Sequence, residues 1–194
     1  IDAPGDLKFS VSGEGLTPKG LVSSLTGKGQ LTILDGEING FSLGAAHAAA
    51  VAAQNEKAEG EVDQDALGKR VAEQLSSSAM TFTQIKAPFS VNNGVMEFDK
   101  IALSDAEGRV IVATYLQLAN LQLDSEWALQ SAEGIDGSKP RVSLVFTGPL
   151  QELGTMRPKI DTTGLARYVT IQKMQKDVER LEKLDVSGPK PKKD

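Results

Sequence analysis

Cysteine is absent from this 194-residue sequence, which excludes disulfides, iron–sulfur clusters and thiolate zinc sites. Its absence fits a reducing and an oxidising compartment equally. Histidine occurs once, as His47, and that removes most general-base, triad and histidine–metal schemes. Aromatic residues make up only 5%, with a single tryptophan, Trp127. A long apolar run is also missing. The longest, residues 43–53, is mostly alanine, contains His47, and falls far short of the ~20 residues a membrane-spanning helix needs. Excess positive charge is lacking as well: 21 Lys and Arg against 26 Asp and Glu leave a formal charge of −5, which argues against a nucleic-acid backbone as partner. Neither a basic leader nor an initiating Met precedes Ile1, so the sequence reads as a piece of a longer protein, and any targeting signal would lie upstream.

What is present is ordinary globular material, 40% hydrophobic and 24% charged. Leu7, Phe9 and Val11 alternate with Lys8, Ser10 and Ser12, the period of two of a half-buried strand, followed by a loop with Pro18 and Gly20. Residues 29–34 and 37–41 flank Asp35-Gly36, a dipeptide suited to a type I′ hairpin turn, so a hairpin is expected there. Helical texture then runs over residues 42–77, with Ser42 as N-cap of an alanine-rich helix. Asp63 caps a second helix striped by Leu67, Val71 and Leu75. Strands resume near Thr81 and turn at Asn92-Asn93-Gly94. In the return strand Met96 and Phe98 share one parity and Ile101 and Leu103 the other, which predicts a bulge at Asp99-Lys100.

Beyond a turn at residues 106–108, Leu121, Leu123, Trp127 and Leu129 alternate with polar residues, as do Val142, Leu144 and Phe146. Asp161 or Thr162 caps a helix over about residues 162–185. Its seam of Ile171, Met174, Val178 and Leu181 spans only about two heptads and is expected to lie on the sheet. A Lys/Pro tail, residues 188–194, has the composition of disorder. The expected architecture is α+β and mainly β: one domain over residues 1–187, a curved antiparallel sheet of hairpins with an inserted helix pair and a C-terminal helix.

Catalytic chemistry finds little purchase. His47 has Ala50 and Val51 at i+3 and i+4, so no acid or nucleophile accompanies it along the helix. Gly13-Glu14-Gly15 opens like a dinucleotide-binding fingerprint, but Pro18 replaces the third glycine and no helix is expected to follow. Asp63 and Asp65 suit a helix start, and Asp99 and Asp105 sit beside turns, where acids are common. No catalytic residue, metal site or cofactor is expected. The simplest role for Leu121, Leu123, Trp127 and Leu129 is a core face under the terminal helix. The sharper role is the lining of a groove for acyl chains.

Two blocks of sequence carry a resemblance. Thr26-Gly27-Lys28-Gly29-Gln30-Leu31-Thr32-Ile33-Leu34-Asp35-Gly36-Glu37-Ile38-Asn39-Gly40-Phe41-Ser42-Leu43 resembles a stretch of the C-terminal region of the AsmA family. So does Thr81-Phe82-Thr83-Gln84-Ile85-Lys86-Ala87-Pro88-Phe89-Ser90-Val91-Asn92-Asn93-Gly94-Val95. Residues 140–150, followed by Arg157-Pro158-Lys159-Ile160-Asp161, are similar to that family's closing strand and helix. At residues 112–118 the sequence departs from the glycines usual there. The resemblance implies a periplasm-facing, non-enzymatic segment of a Gram-negative inner-membrane protein, concerned with outer-membrane biogenesis and with phospholipid movement between membranes. The partner this suggests is a phospholipid acyl chain, for which the strand alternation, not the resemblance, offers Leu121, Leu123, Trp127 and Leu129 as the lining. The alternative is a periplasmic protein-interaction or scaffold module with a fully covered sheet, in which a surface such as the terminal helix docks an envelope protein.

Overall fold

The structure is a computed structural model describing residues 4–55, 62–134 and 138–186. Eight strands form one antiparallel sheet in sequence order. They are β1 (Gly5–Ser12), β2 (Thr26–Asn39), β3 (Ala79–Asn92), β4 (Val95–Ser104), β5 (Gly108–Gln117), β6 (Gln122–Ser131), β7 (Arg141–Pro149) and β8 (Lys159–Asp161). Helix α1 (Pro18–Ser23) joins β1 to β2, α2 (Ala45–Gln54) and α3 (Gln64–Ser76) lie between β2 and β3, and α4 (Thr163–Val186) follows β8. This is the expected α+β, mainly β architecture with an inserted helix pair and a C-terminal helix. The tail at 188–194 lies outside the described residues, as do residues 56–61 within the expected helical stretch.

The two turn dipeptides behave differently, and backbone angles explain why. A type I′ turn needs positive φ at both central residues. Asn93 and Gly94 meet this, at 49° and 73°, and the chain reverses there. At Asp35-Gly36 only Asp35 has positive φ, 43°, and the expected hairpin does not form. Instead β2 runs straight through and pairs with β3 from Gly27 with Val91 to Asn39 with Ala79. The reversal is made by α2 and α3. The inward-facing parity of β2 changes at this point, from Leu31 and Ile33 to Gly36 and Ile38, and that of β3 changes opposite, from Ile85 to Phe82. Both strands carry the same irregularity, so register survives it.

The bulge expected at Asp99-Lys100 is present as a register shift between Phe98 and Ile101. Beside it β3 and β4 part company. They pair only from Phe89 with Phe98 to Asn92 with Val95, and the ladder stops next to Pro88, which has no N–H to donate. The sheet is strongly curved. In a flat sheet β2 and β6 would lie about 19 Å apart, four spacings of ~4.8 Å. Yet Phe41, just beyond β2, meets Trp127 of β6 with ring centroids 5.2 Å apart.

The helices fill one end of the concave face. Ala45, Ala46, Ala49, Ala50 and Ala53 are buried, and their small side chains let α2 approach the sheet closely. Leu67, Val71 and Leu75 of α3 are buried as their spacing predicts. Leu165, Tyr168 and Val169 of α4 join Val110, Leu129, Val142 and Leu144 of the sheet in the same core. Asp63 caps α3 by accepting from the amides of Asp65 and Ala66. At α2 the expected Ser42 cap is corrected: Gly44 is the N-cap and no side chain caps the helix, while Ser42 and Glu107, from the β4–β5 turn, both accept from the Gly44 amide just outside it. At α4, Asp161 accepts from the Thr163 amide while the Thr162 hydroxyl donates to the Gln64 carbonyl, tying the starts of α3 and α4 together.

Three further expectations are corrected. β1 is exposed along its whole length rather than half-buried, because it is the sheet edge and, among the described residues, no helix lies over it. The loop after it contains α1, with Thr17 as N-cap and Pro18 in the first turn. Gly15 packs backbone against Leu21 of α1, so it serves close chain contact. Finally, the α4 seam does not lie on the sheet. Its buried side is Leu165, Tyr168, Val169 and Gln172, and Ile171, Met174, Val178 and Leu181 face outward.

Candidate functional site

The four residues singled out in the sequence are not equivalent in the fold. Leu129 is buried in the helix-covered core. Trp127 is partly buried and clasped by Phe41 and by Phe146, at 5.4 Å between centroids. Its indole Nε1 donates to Ser125 Oγ at 3.0 Å, and that oxygen also pairs with Thr114 Oγ1 at 2.6 Å, so the polar atoms beneath the face are satisfied. Leu123 is buried opposite Gly148, over which Met156 folds. Leu121 is not on the strand; it occupies the β5–β6 turn with φ 52° and is exposed. Leu123, Trp127 and Leu129 therefore share one face, and it is the covered part of that face.

The uncovered part lies at the other side of the sheet. Residues directly opposite on neighbouring strands point to the same side. Across the sheet this gives a row of Phe9, Gly29, Phe89, Phe98, Thr114 and Ser125. Phe89 is buried and packs on Phe98 at 5.4 Å, whereas Leu7, Phe9 and Val11 of β1 are 54, 62 and 38% exposed. These three extend the concave apolar face to the sheet edge with nothing above them among the described residues. Glycine makes the row possible: a Cβ on Gly29 would run into the Phe89 ring and stand 2.8 Å from the Phe9 Cβ.

The alternation of Leu7, Phe9 and Val11 was legible in the sequence, but whether a helix covered that face was not. Exposure of apolar side chains on a continuous face is the usual mark of a binding surface.

Charged chemistry is sparse. His47 Nε2 lies 3.1 Å from Glu133 Oε2, a partner 86 positions away that helix spacing could not reveal. The pair borders a recess of about 440 Å³ that Ser138, Lys139 and Tyr168 also line. Asp105 accepts from the amides of Glu107 and Gly108, as a turn acid does. Among the described residues no group of three or more His, Asp or Glu converges as a metal site, and no helix is long and apolar enough to cross a membrane. No protein-family model, curated protein or solved structure matches the chain.

Proposed function

We propose that this chain is a non-enzymatic, AsmA-like cell-envelope segment whose concave sheet accommodates phospholipid acyl chains. The supporting observation is the open end of the concave face, where Leu7, Phe9 and Val11 stand exposed in line with the Leu31, Phe89 and Phe98 positions. The lipid surface is therefore assigned to β1–β4, with Leu123, Trp127 and Leu129 forming its closed floor. An acyl chain laid along this strip would leave water on one side. At ~25 cal/mol per Å² of apolar area covered, half-coverage of one chain supplies several kcal/mol. In this reading the segment faces the periplasm, is anchored in the inner membrane from upstream, and takes part in outer-membrane biogenesis by bridging phospholipid movement.

The test is native mass spectrometry and lipid extraction on protein purified from Gram-negative cells. Phospholipid is expected to co-purify with the wild type and to be lost from Phe9→Asp, whose side chain is exposed and whose fold should persist. A lipid-free wild type would overturn the proposal. A second reading, a protein-interaction module, is supported by the outward apolar stripe of α4 and by the covering of Leu129.

A further inference from the structure

From Lys176 onward α4 is exposed on all described sides, and it carries an apolar stripe that the fold does not use. Ile171, Met174, Val178 and Leu181 are 42, 62, 54 and 61% exposed, at spacings of three, four and three. That is the a/d seam of two heptads. Arg167 and Asp185 continue the seam in sequence, one heptad position beyond each end.

We infer that α4 pairs with the same helix of a second copy of this chain, antiparallel, as a short two-stranded coiled coil. In an antiparallel pair each a position meets a d position of the partner. Ile171 then meets Leu181 of the second copy, Met174 meets Val178, and the register sets position 167, an arginine, against position 185, an aspartate, at both ends. A parallel pair would instead set arginine against arginine and aspartate against aspartate. It would also bring Asp177 toward Glu182 twice, and like charges there are destabilising. The antiparallel pair has one like-charge meeting, Asp177 with its copy beside the axis. Arg180 lies 3.2 Å from Asp177 within each helix and offsets it.

A membrane surface fits the stripe less well. The helical wheel puts Asp177 and Glu182 beside it, carboxylates that an anionic lipid surface would repel. The stripe lies roughly opposite the buried side of α4, so two bodies can sit at opposite ends of the pair without collision. Covering it on two copies removes on the order of 1,000 Å² in all, at the low edge of specific interfaces, so association belongs in the micromolar range. The inference gives the protein-interaction reading its partner and does not depend on the lipid reading.

Because the chain lacks cysteine, crosslinking gives a direct test. Sedimentation of the wild type should show a concentration-dependent monomer–dimer equilibrium, abolished in Met174→Glu/Val178→Glu, whose circular dichroism should match the wild type. Under mild oxidation, Ile171→Cys mixed with Leu181→Cys should give a disulfide-linked heterodimer in high yield, and Ile171→Cys alone should give little. A monomer at all concentrations would overturn the inference. So would efficient self-crosslinking of Ile171→Cys, which marks a parallel pair, or a monomer that binds anionic vesicles through this stripe. Lipid co-purification is read independently on Phe9→Asp, so each proposal can fail alone.

Discussion

At the scale of single residues, the start of α4 shows how one carboxylate fixes a helix. The hydroxyl and then the amide of Thr163 hold the Asp161 carboxyl below the usual carboxylate range, Lys159 adds to the effect, and partial burial opposes it. A depressed folded-state value means that this contribution is present above the unfolded value of about 3.9 and is lost as pH falls through the folded one. Amide exchange in the first turn of α4, measured relative to the intrinsic rate at each pH, should therefore quicken on acidification below about pH 4 in the wild type. In Asp161→Ala it should already be fast at neutral pH, with a stability cost of about 1 kcal/mol. Leu129→Ala, in the helix-covered core, should cost about 2–5 kcal/mol by chemical denaturation, because the buried Val110 and Val142 opposite it are held by the sheet ladder and cannot close on the gap. Phe9→Asp should cost little by the same assay, since its side chain is already in water.

At the scale of elements, the two Gly-containing turn signals make a paired prediction. Gly94→Ala places a side chain at φ 73° with its Cβ 2.6 Å from the Val22 carbonyl oxygen, so it should destabilise by at least about 1–2 kcal/mol. Gly36→Ala should be far milder, because Gly36 lies in a paired strand without positive φ. Equal, large effects at both sites would mean that Asp35-Gly36 is a turn after all. The contrast also marks what local sequence encodes. Asn93-Gly94, the Asp99-Lys100 parity change and the Leu67, Val71, Leu75 stripe were legible because each is decided by neighbouring residues. Asp35-Gly36 permits a turn but does not compel one. Its outcome depends on α2 and α3 carrying the chain back, with Ile38 and Met80 buried beneath them. The α4 seam failed as a guide to packing for a similar reason. Leu165, Tyr168, Val169 and Gln172 form a second face, and only the tertiary fold decides which face meets the core.

At the scale of the whole molecule, the helices divide the concave face into a closed end and an open end. The closed end holds Trp127 and Leu129, the residues whose alternation drew notice in the sequence. The open end holds β1, whose alternation is equally plain but whose exposure follows from being the edge strand with no described helix above it. Opening on one side of the sheet and the free stripe of α4 on another give the chain two separate apolar surfaces at a net charge of −5. The central claim concerns the first. Phe9→Cys and Leu16→Cys, both exposed in the wild type, would each be labelled with a polarity-sensitive fluorophore and titrated with a phospholipid analogue. The lipid-groove account predicts a saturable blue shift at position 9 and none at position 16, which lies in the loop beyond β1 and off the concave face. No shift at position 9, or the same shift at both, would contradict it.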